Sequence, residues 1–304
     1  MNLFLFEYAT CGSKIPDSIA VEGLAMFKTL FRGFSKYYRV LSFVREDFCE
    51  ELGLPAGKIE DLELWLEKCD AFLIVAPEDD LTLFKLTKTA EKYCENLGSS
   101  SKAISITSDK WKLYKKLKNK VLMPKTSKKK KLEGSFIIKP RISCGGEGIT
   151  FSNSVPKDYI AQEYIKGKNL SVSLILDEDI RIVSVNEQII ENFRYKGAVV
   201  PARIDDEIAL EVCNAAIDAV EAIKGLKGYV GVDIVYADQA YVIEVNARIT
   251  TPIVTFEKAY GVNVADMIKG DSPKFFRRQI LEKGDFSDFI AKVGNYSLRV
   301  TPLE

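Results

Sequence analysis

Four short apolar runs, at residues 2–7, 39–44, 70–76 and 102–107, recur through the first hundred residues with amphipathic stretches between them. Apolar runs of this length read as buried strands, and their alternation with helical periodicity predicts βαβ units around a small parallel sheet. Ser108 and Asp109 stand as cap residues before Lys110 and Trp111, so a helix is expected from there to residue 119, ended before Met123 and Pro124. From residue 135 the pattern changes to short strands at 136–139, 149–152, 159–164, 170–176, 180–185, 229–236 and 241–246, with helical stretches at 205–223 and 252–268. That rhythm predicts an α+β half with antiparallel hairpins following the α/β half.

The one biased tract is 110–131, where eleven of 22 residues are lysine. Such a run fits either a nucleic-acid patch or a solvated face and flexible connection. Slight aromatic interleaving and a chain whose 43 basic residues cancel 43 acidic ones favour the second reading. A length of 304 residues allows two or three compact units, and 47% apolar content is that of an ordinary globular protein. No basic segment precedes the first apolar run and no run is long enough to span a bilayer, so a cytoplasmic protein without membrane or nucleic-acid partners is expected. The six cysteines are far apart and form no CxxC pair, which supports neither a zinc site nor a disulfide framework. There is no histidine. Ser-His-Asp and Cys-His catalysis, His-ligated metals and imidazole acid-base chemistry are thereby excluded. Carboxylates, lysine, arginine, backbone amides or a bound metal must carry any chemistry.

Residues 231–246 hold two β-rich runs, and a turn is expected between them at Asp238-Gln239. If that turn is symmetric, Asp233 faces Glu244, and Asn246 shares a face with Glu244 because strand side chains alternate. Opposed carboxylates repel, so a fold that places them there usually supplies a cation, and oxygen-only ligands suit Mg²⁺. A hairpin with a wet polar face fits the same pattern, and an odd-length loop would shift the register. Upstream, an apolar strand ends in Lys139, followed by Ser143-Cys144-Gly145-Gly146-Glu147-Gly148 and a further strand. Glycines let backbone amides approach phosphate oxygens closely. The strand-loop-strand order matches neither a Walker A loop nor a Rossmann turn. A ligand-free glycine hairpin is the plain alternative, as a surface position is for Lys139 and Lys110. Finally, 160–169 is a strand running into a glycine-containing turn, whose backbone at 163–165 is suited to reading an adenine edge.

Asp109-Lys110, Ile138-Lys139-Pro140 with the glycine loop, Gln162 to Gly167, Gly231-Val232-Asp233 and Glu244-Val245-Asn246-Ala247-Arg248 occur in this order along the chain. In this the sequence resembles the ATP-grasp superfamily over nearly its whole length. The resemblance implies an ATP-grasp fold with an N-terminal Rossmann-like domain over 1–107, a lid with a phosphate flap over 108–167 and a C-terminal subdomain with the metal site over 168–304. It also implies ATP and Mg²⁺ or Mn²⁺, two ions being expected, and formation of an amide from a carboxylate and an amine through an acyl phosphate. Lys110 and Lys139 are similar to the lysines that contact ATP phosphates. Ser143, Gly145, Gly146 and Gly148 are similar to the mobile flap, and Gln162, Glu163, Tyr164 and Ile165 to the adenine hinge. Asp233, Glu244 and Asn246 correspond to metal ligands, and Arg248 to the arginine that steadies the transferring phosphoryl group. Asn169 stands where relatives often carry an acidic ribose contact.

Residues 6–12 and 186–201 are similar to an archaeal group within the superfamily, one of whose activities joins the γ-carboxylate of glutamate to tyramine in methanofuran biosynthesis. That likeness implies substrate contacts at Glu7, Arg194 and Tyr195. As plain structure, Gly12 ends a first strand and 195–197 is a turn. Relatives are commonly dimers. Competing readings are a non-catalytic nucleotide-binding scaffold, an ATP-grasp ligase for another acid and amine, and a kinase or carboxylating enzyme. All the positions that a degenerate scaffold would lose are present.

Overall fold

Leu3, Phe4, Leu5 and Phe6 are all fully buried, as a strand covered on both faces requires. They belong to β1 (Asn2–Glu7) in a computed structural model that describes residues 1–128, 134–152 and 154–303. The end of the lysine run, 129–131, lies outside the described residues. After β1 come a π-helical turn (Tyr8–Gly12), α1 (Asp17–Phe34), β2 (Arg39–Leu41), the short α2 (Cys49–Leu52) and α3 (Leu62–Leu66), β3 (Ala71–Val75), α4 (Thr82–Ala90) and β4 (Glu95–Asn96). The strands form a parallel sheet in the order β2-β1-β3-β4, as the βαβ rhythm predicted.

The run at 102–107 is not its fourth strand. It is helix α5 (Ser101–Thr107), opened by Ser100, whose hydroxyl accepts from the Ala103 N–H at 3.3 Å. Its buried positions, Ala103, Ile104 and Thr107, follow helical spacing, so the cap and the tertiary face override the strand-like composition. Next, α6 (Lys110–Leu117) starts where the Asp109 cap predicted.

A small antiparallel lid follows, built from β5 (Thr126–Ser127), β6 (Phe136–Pro140), β7 (Thr150–Phe151) and β8 (Tyr159–Glu163) in the order β5-β8-β6-β7. The remaining strands are β9 (Lys168–Leu176), β10 (Ile180–Glu191), β11 (Arg194–Val200), β12 (Gly228–Tyr236), β13 (Ala240–Asn246), β14 (Gln279–Gly284), β15 (Ala291–Val293) and β16 (Tyr296–Pro302). They form an eight-stranded sheet in the order β13-β12-β9-β10-β11-β14-β16-β15, with α7 (Asp206–Glu221) packed on it.

Residues 195–197, read as a turn, lie inside β11; the chain reverses earlier, at Asn192 and Phe193, both at positive φ (49° and 64°). The helix expected over 252–268 is divided. A 3₁₀ turn (Thr251–Thr255) leads into α8 (Phe256–Tyr260), Gly261 at φ 70° ends it, and Asn263 caps α9 (Val264–Ile268).

Two cores explain where the site lies. Val212, Ala216 and Val220 of α7 bury against Val172, Val230 and Val242 of the large sheet. Leu24 and Phe27 of α1 share the other core with Phe4 of β1 and with Leu281 and Leu298 of β14 and β16. Helix α1 is therefore the joint between the parallel sheet and the far end of the large sheet, and the space between these bodies and the lid is an open cleft. All six cysteines are free thiols. Among the described residues no helix is long and apolar enough to cross a membrane.

Candidate active site

The cleft measures ≈ 640 Å³ and is bordered by the lid, the large sheet and α1. Its chemical centre is the β12–β13 hairpin. Asp233 pairs with Glu244 and Gly231 with Asn246, as required for a shared face. The turn achieves this differently from the symmetric expectation. Tyr236 pairs with Ala240, so the connection is the three residues 237–239, and an irregularity opposite Ile243 restores the register before Glu244 is reached. The odd loop and the bulge cancel. Without the bulge, Glu244 and Asn246 would point to the other side of the sheet.

Asp233 accepts from Asn246 Nδ2 and from Gln188 Nε2, each at 3.0 Å. Burial, then the facing Glu244 carboxylate, push Asp233 up to about 7. For Glu244 burial acts in the same direction, but Lys110, Lys139 and Arg248 outweigh it and hold the carboxyl below its usual range. Two carboxylates and an amide oxygen form a hard, oxygen-only donor set suited to Mg²⁺ or Mn²⁺. Among the described residues no three Asp, Glu or Cys side chains make an all-protein cage. An ion held here would therefore take its remaining ligands from water and phosphate oxygens.

Both lysines are buried and come from different elements. Lys110 opens α6, where Asp109 caps by accepting the Trp111 and Lys112 N–H groups and is itself held by Arg141 at 2.5 Å. Its Nζ lies 3.1 Å from Glu244 Oε1 and donates to the Ser143 carbonyl at 2.5 Å. Burial alone would lower its pKa, but the Glu244 carboxylate more than compensates and raises it. Lys139, on β6, has no such close partner among the described residues, and burial draws it down to about 8. A desolvated ammonium within electrostatic reach of Glu244 and Asp233 is chemically suited to phosphate oxygens.

Arg248, just past β13, donates from Nε and a terminal nitrogen to both oxygens of Glu78, at 2.8 and 2.9 Å. That bidentate pair raises the guanidinium pKa against the opposing effect of burial. The neighbouring Asp79 accepts from the Cys144 thiol at 2.8 Å. One segment after β3 thus holds both the arginine and the flap. Sequence reading missed Glu78, although it lies past the carboxyl end of a parallel strand, where ligand sites gather in open α/β sheets.

In the flap, Gly145, Gly146 and Gly148 all have positive φ. Gly146 abuts the β10–β11 tip so closely that a Cβ there would stand 1.7 Å from the Phe193 carbonyl oxygen. Beside this contact Tyr164 meets Phe151 and Phe193 edge to face at 5.1 and 6.2 Å, Phe151 and Phe193 are tilted at 5.7 Å, and Arg194 lies 3.7 Å from Glu147. Arg194 is thereby placed at the flap, while Tyr195, the next residue, turns inward. In the hinge the Glu163 and Tyr164 N–H groups already donate to Lys125 and Ser135 carbonyls, at 2.8 and 3.0 Å, and Gln162 donates to Thr126. Ile165 and Asn169 border the cleft beyond them. Glu7 lines the cleft floor but spends its carboxylate locally, accepting from the Ala9 and Thr10 N–H groups and the Thr10 hydroxyl. Burial raises its pKa nonetheless.

The profile of the ATP-grasp domain matches residues 107–252, and that of the pre ATP-grasp 3 domain matches 57–104. The chain is 39% identical over 265 residues to a tyramine–L-glutamate ligase of Methanocaldococcus fervens, covering 83% of this chain and 88% of that one. This chain belongs to the ATP-grasp family. Among ATP-grasp structures it is similar to a superfamily protein of Archaeoglobus fulgidus, with a TM-score of 0.97, 57% identity and full coverage of both chains. The fold extends to a carboxyaminoimidazole ribonucleotide synthase of Aspergillus clavatus complexed with ATP, with a TM-score of 0.73, 14% identity and coverage of 92% and 81%. The ATP-grasp cleft thus brings together Lys110 of α6, Lys139 and the flap of the lid, and Asp233, Glu244, Asn246 and Arg248 on and just past the β12–β13 hairpin.

Proposed function

We propose that this chain is an ATP-dependent carboxylate–amine ligase that joins the γ-carboxylate of L-glutamate to the amine of tyramine. The observation that carries the chemistry is the convergence of two buried lysines, two carboxylates, an amide and a partly buried arginine on one cleft of a chain that has no histidine. Phosphoryl transfer is mostly positioning and charge neutralisation, which such groups supply. The substrate pair rests on the 39% identity to the Methanocaldococcus ligase.

Lys139 and Lys110 hold the phosphates while the flap closes over them. Arg248, kept straight by Glu78, faces the oxygens whose charge grows as the bond breaks. Asp233, Glu244 and Asn246 would hold Mg²⁺, which would supply positive charge against the transferring phosphate. A carboxylate oxygen attacks the γ-phosphorus and ADP leaves; the amine nitrogen then attacks the acyl carbon, phosphate departs and the amide remains. Water excluded by the flap cannot hydrolyse the acyl phosphate. An enzyme fed by ATP in this way would work in the cytoplasm.

Purified protein with Mg-ATP, L-glutamate and tyramine should release ADP and phosphate in step with a γ-glutamyl amide seen by mass spectrometry. ADP release without either substrate, or silence across a panel of acids and amines, would overturn the ligase reading. Glu244→Gln should lower kcat by roughly a hundredfold or more, as loss of a group that neutralises transition-state charge does.

A further inference from the structure

One wall of the cleft carries a charge pair that nucleotide chemistry does not use. Glu22, on the cleft face of α1 with Ser18 and Ile19, is paired with Lys283 of β14 at 2.5 Å, and Thr251 donates to its other oxygen at 2.7 Å. Both side chains are nearly buried, at 14% and 11% exposure. A pair so far removed from water repays its desolvation poorly.

Sheet order sets its distance from the phosphates: β9, β10 and β11 lie between β12, which bears Asp233, and β14. Between them stands Tyr195 on β11. Among the described residues its buried hydroxyl has no hydrogen-bond partner, and it lies within electrostatic reach of both Asp233 and Glu22. The Lys283 ammonium has three donors, of which, among the described residues, one goes to Glu22, and each Glu22 oxygen can accept again. The wall therefore has unused capacity of both signs, side by side, away from the reacting end.

From this geometry we infer that Glu22 and Lys283 recognise the zwitterionic head of an α-amino acid whose side-chain carboxylate reaches past Tyr195 to the phosphoryl site. Lys283 takes the α-carboxylate, Glu22 takes the α-ammonium, and the Tyr195 hydroxyl finds its missing partner on the substrate. Because head and pair are each neutral overall, the pair persists when the site is empty. The assignment rests on the ligase reading and names how its acid is selected.

The test compares L-glutamate with glutarate, which lacks the amine, and 4-aminobutyrate, which lacks the α-carboxylate, in the ADP-release assay with tyramine. The wild type should prefer glutamate to both. Glu22→Gln should lose preference over glutarate, and Lys283→Met preference over 4-aminobutyrate, each by roughly ten- to a hundredfold, as expected for a charged hydrogen bond. The KM for ATP should stay within about twofold, since uniform nucleotide binding is untouched.

The charge swap Glu22→Lys with Lys283→Glu separates recognition from scaffolding. It should restore the melting temperature but not the preference. Unchanged preference in the single variants, or preference regained in the swap, would overturn the assignment and leave the ligase reading intact. If the wild type ignores glutamate, a panel of L-amino acids and their deaminated counterparts decides. Activation of another amino acid with the same variant behaviour would refute the substrate pair and support the assignment. Activation of acids without an α-amino head, or of none, would refute the assignment.

Discussion

Lys139 is a cation placed where water cannot help it. Its pKa of about 8 means that the folded protein releases this proton before the unfolded chain does. Between about pH 8 and 10.5 the unfolded state therefore binds more protons, so the destabilisation from burying this charge is full below pH 8 and relieved as the pH rises through that window. Lys139→Met should accordingly raise the melting temperature at neutral pH while abolishing tight ATP binding. Phosphate should return the proton: at pH 8.5 ATP binding should be accompanied by proton uptake, visible as a buffer-dependent calorimetric enthalpy and absent in Lys139→Met. Glu78 poses the reverse case, a buried carboxylate that exists for Arg248. Removing one partner of such a pair costs about 3–5 kcal/mol because the other charge is left uncompensated. Urea unfolding of Glu78→Gln should show a loss of that order. The double variant with Arg248→Met should recover much of it without recovering activity.

At the level of elements, the flap and the β10–β11 tip behave as one closure. Gly146 has a φ of 75° and no room for a Cβ beneath the Phe193 carbonyl. Gly146→Val should hold the flap away, raise the KM for ATP and increase the ADP formed per amide, because water then reaches the acyl phosphate. An ADP-to-amide ratio equal to that of the wild type would show that this contact does not seal the site. The β12–β13 hairpin shows how far element patterns could be read. Alternation was enough to put Glu244 and Asn246 on one face. Asp233 joined them through a loop of odd length and a bulge that compensates for it, and no local residue signal announces that cancellation. The error at 102–107 is of another kind: Ser100 and the Ala103, Ile104, Thr107 face were visible, and strand-like composition masked them.

For the whole molecule, the cleft is shared by three bodies, so a ligand that fills it should stabilise their arrangement. Mg-ATP at about 100 times its dissociation constant should add roughly 2.7 kcal/mol, read as a rise in melting temperature, and chelation of the metal should remove most of the gain. The order of motifs along the chain determined the superfamily, and the roles proposed for the lysines, the glycine loop, residues 162–165 and the hairpin carboxylates follow from that order. Strand alternation and the missing histidine had already restricted the chemistry to carboxylates, lysines, arginine and a metal, because those restrictions are local or compositional. Only the tertiary structure decided the rest. Glu78 meets Arg248 across 170 positions of sequence, Glu22 meets Lys283 across 261, and α1 joins two sheets that never hydrogen-bond to each other. Contacts of that separation are set by which apolar faces pack together, and no window of sequence contains both partners.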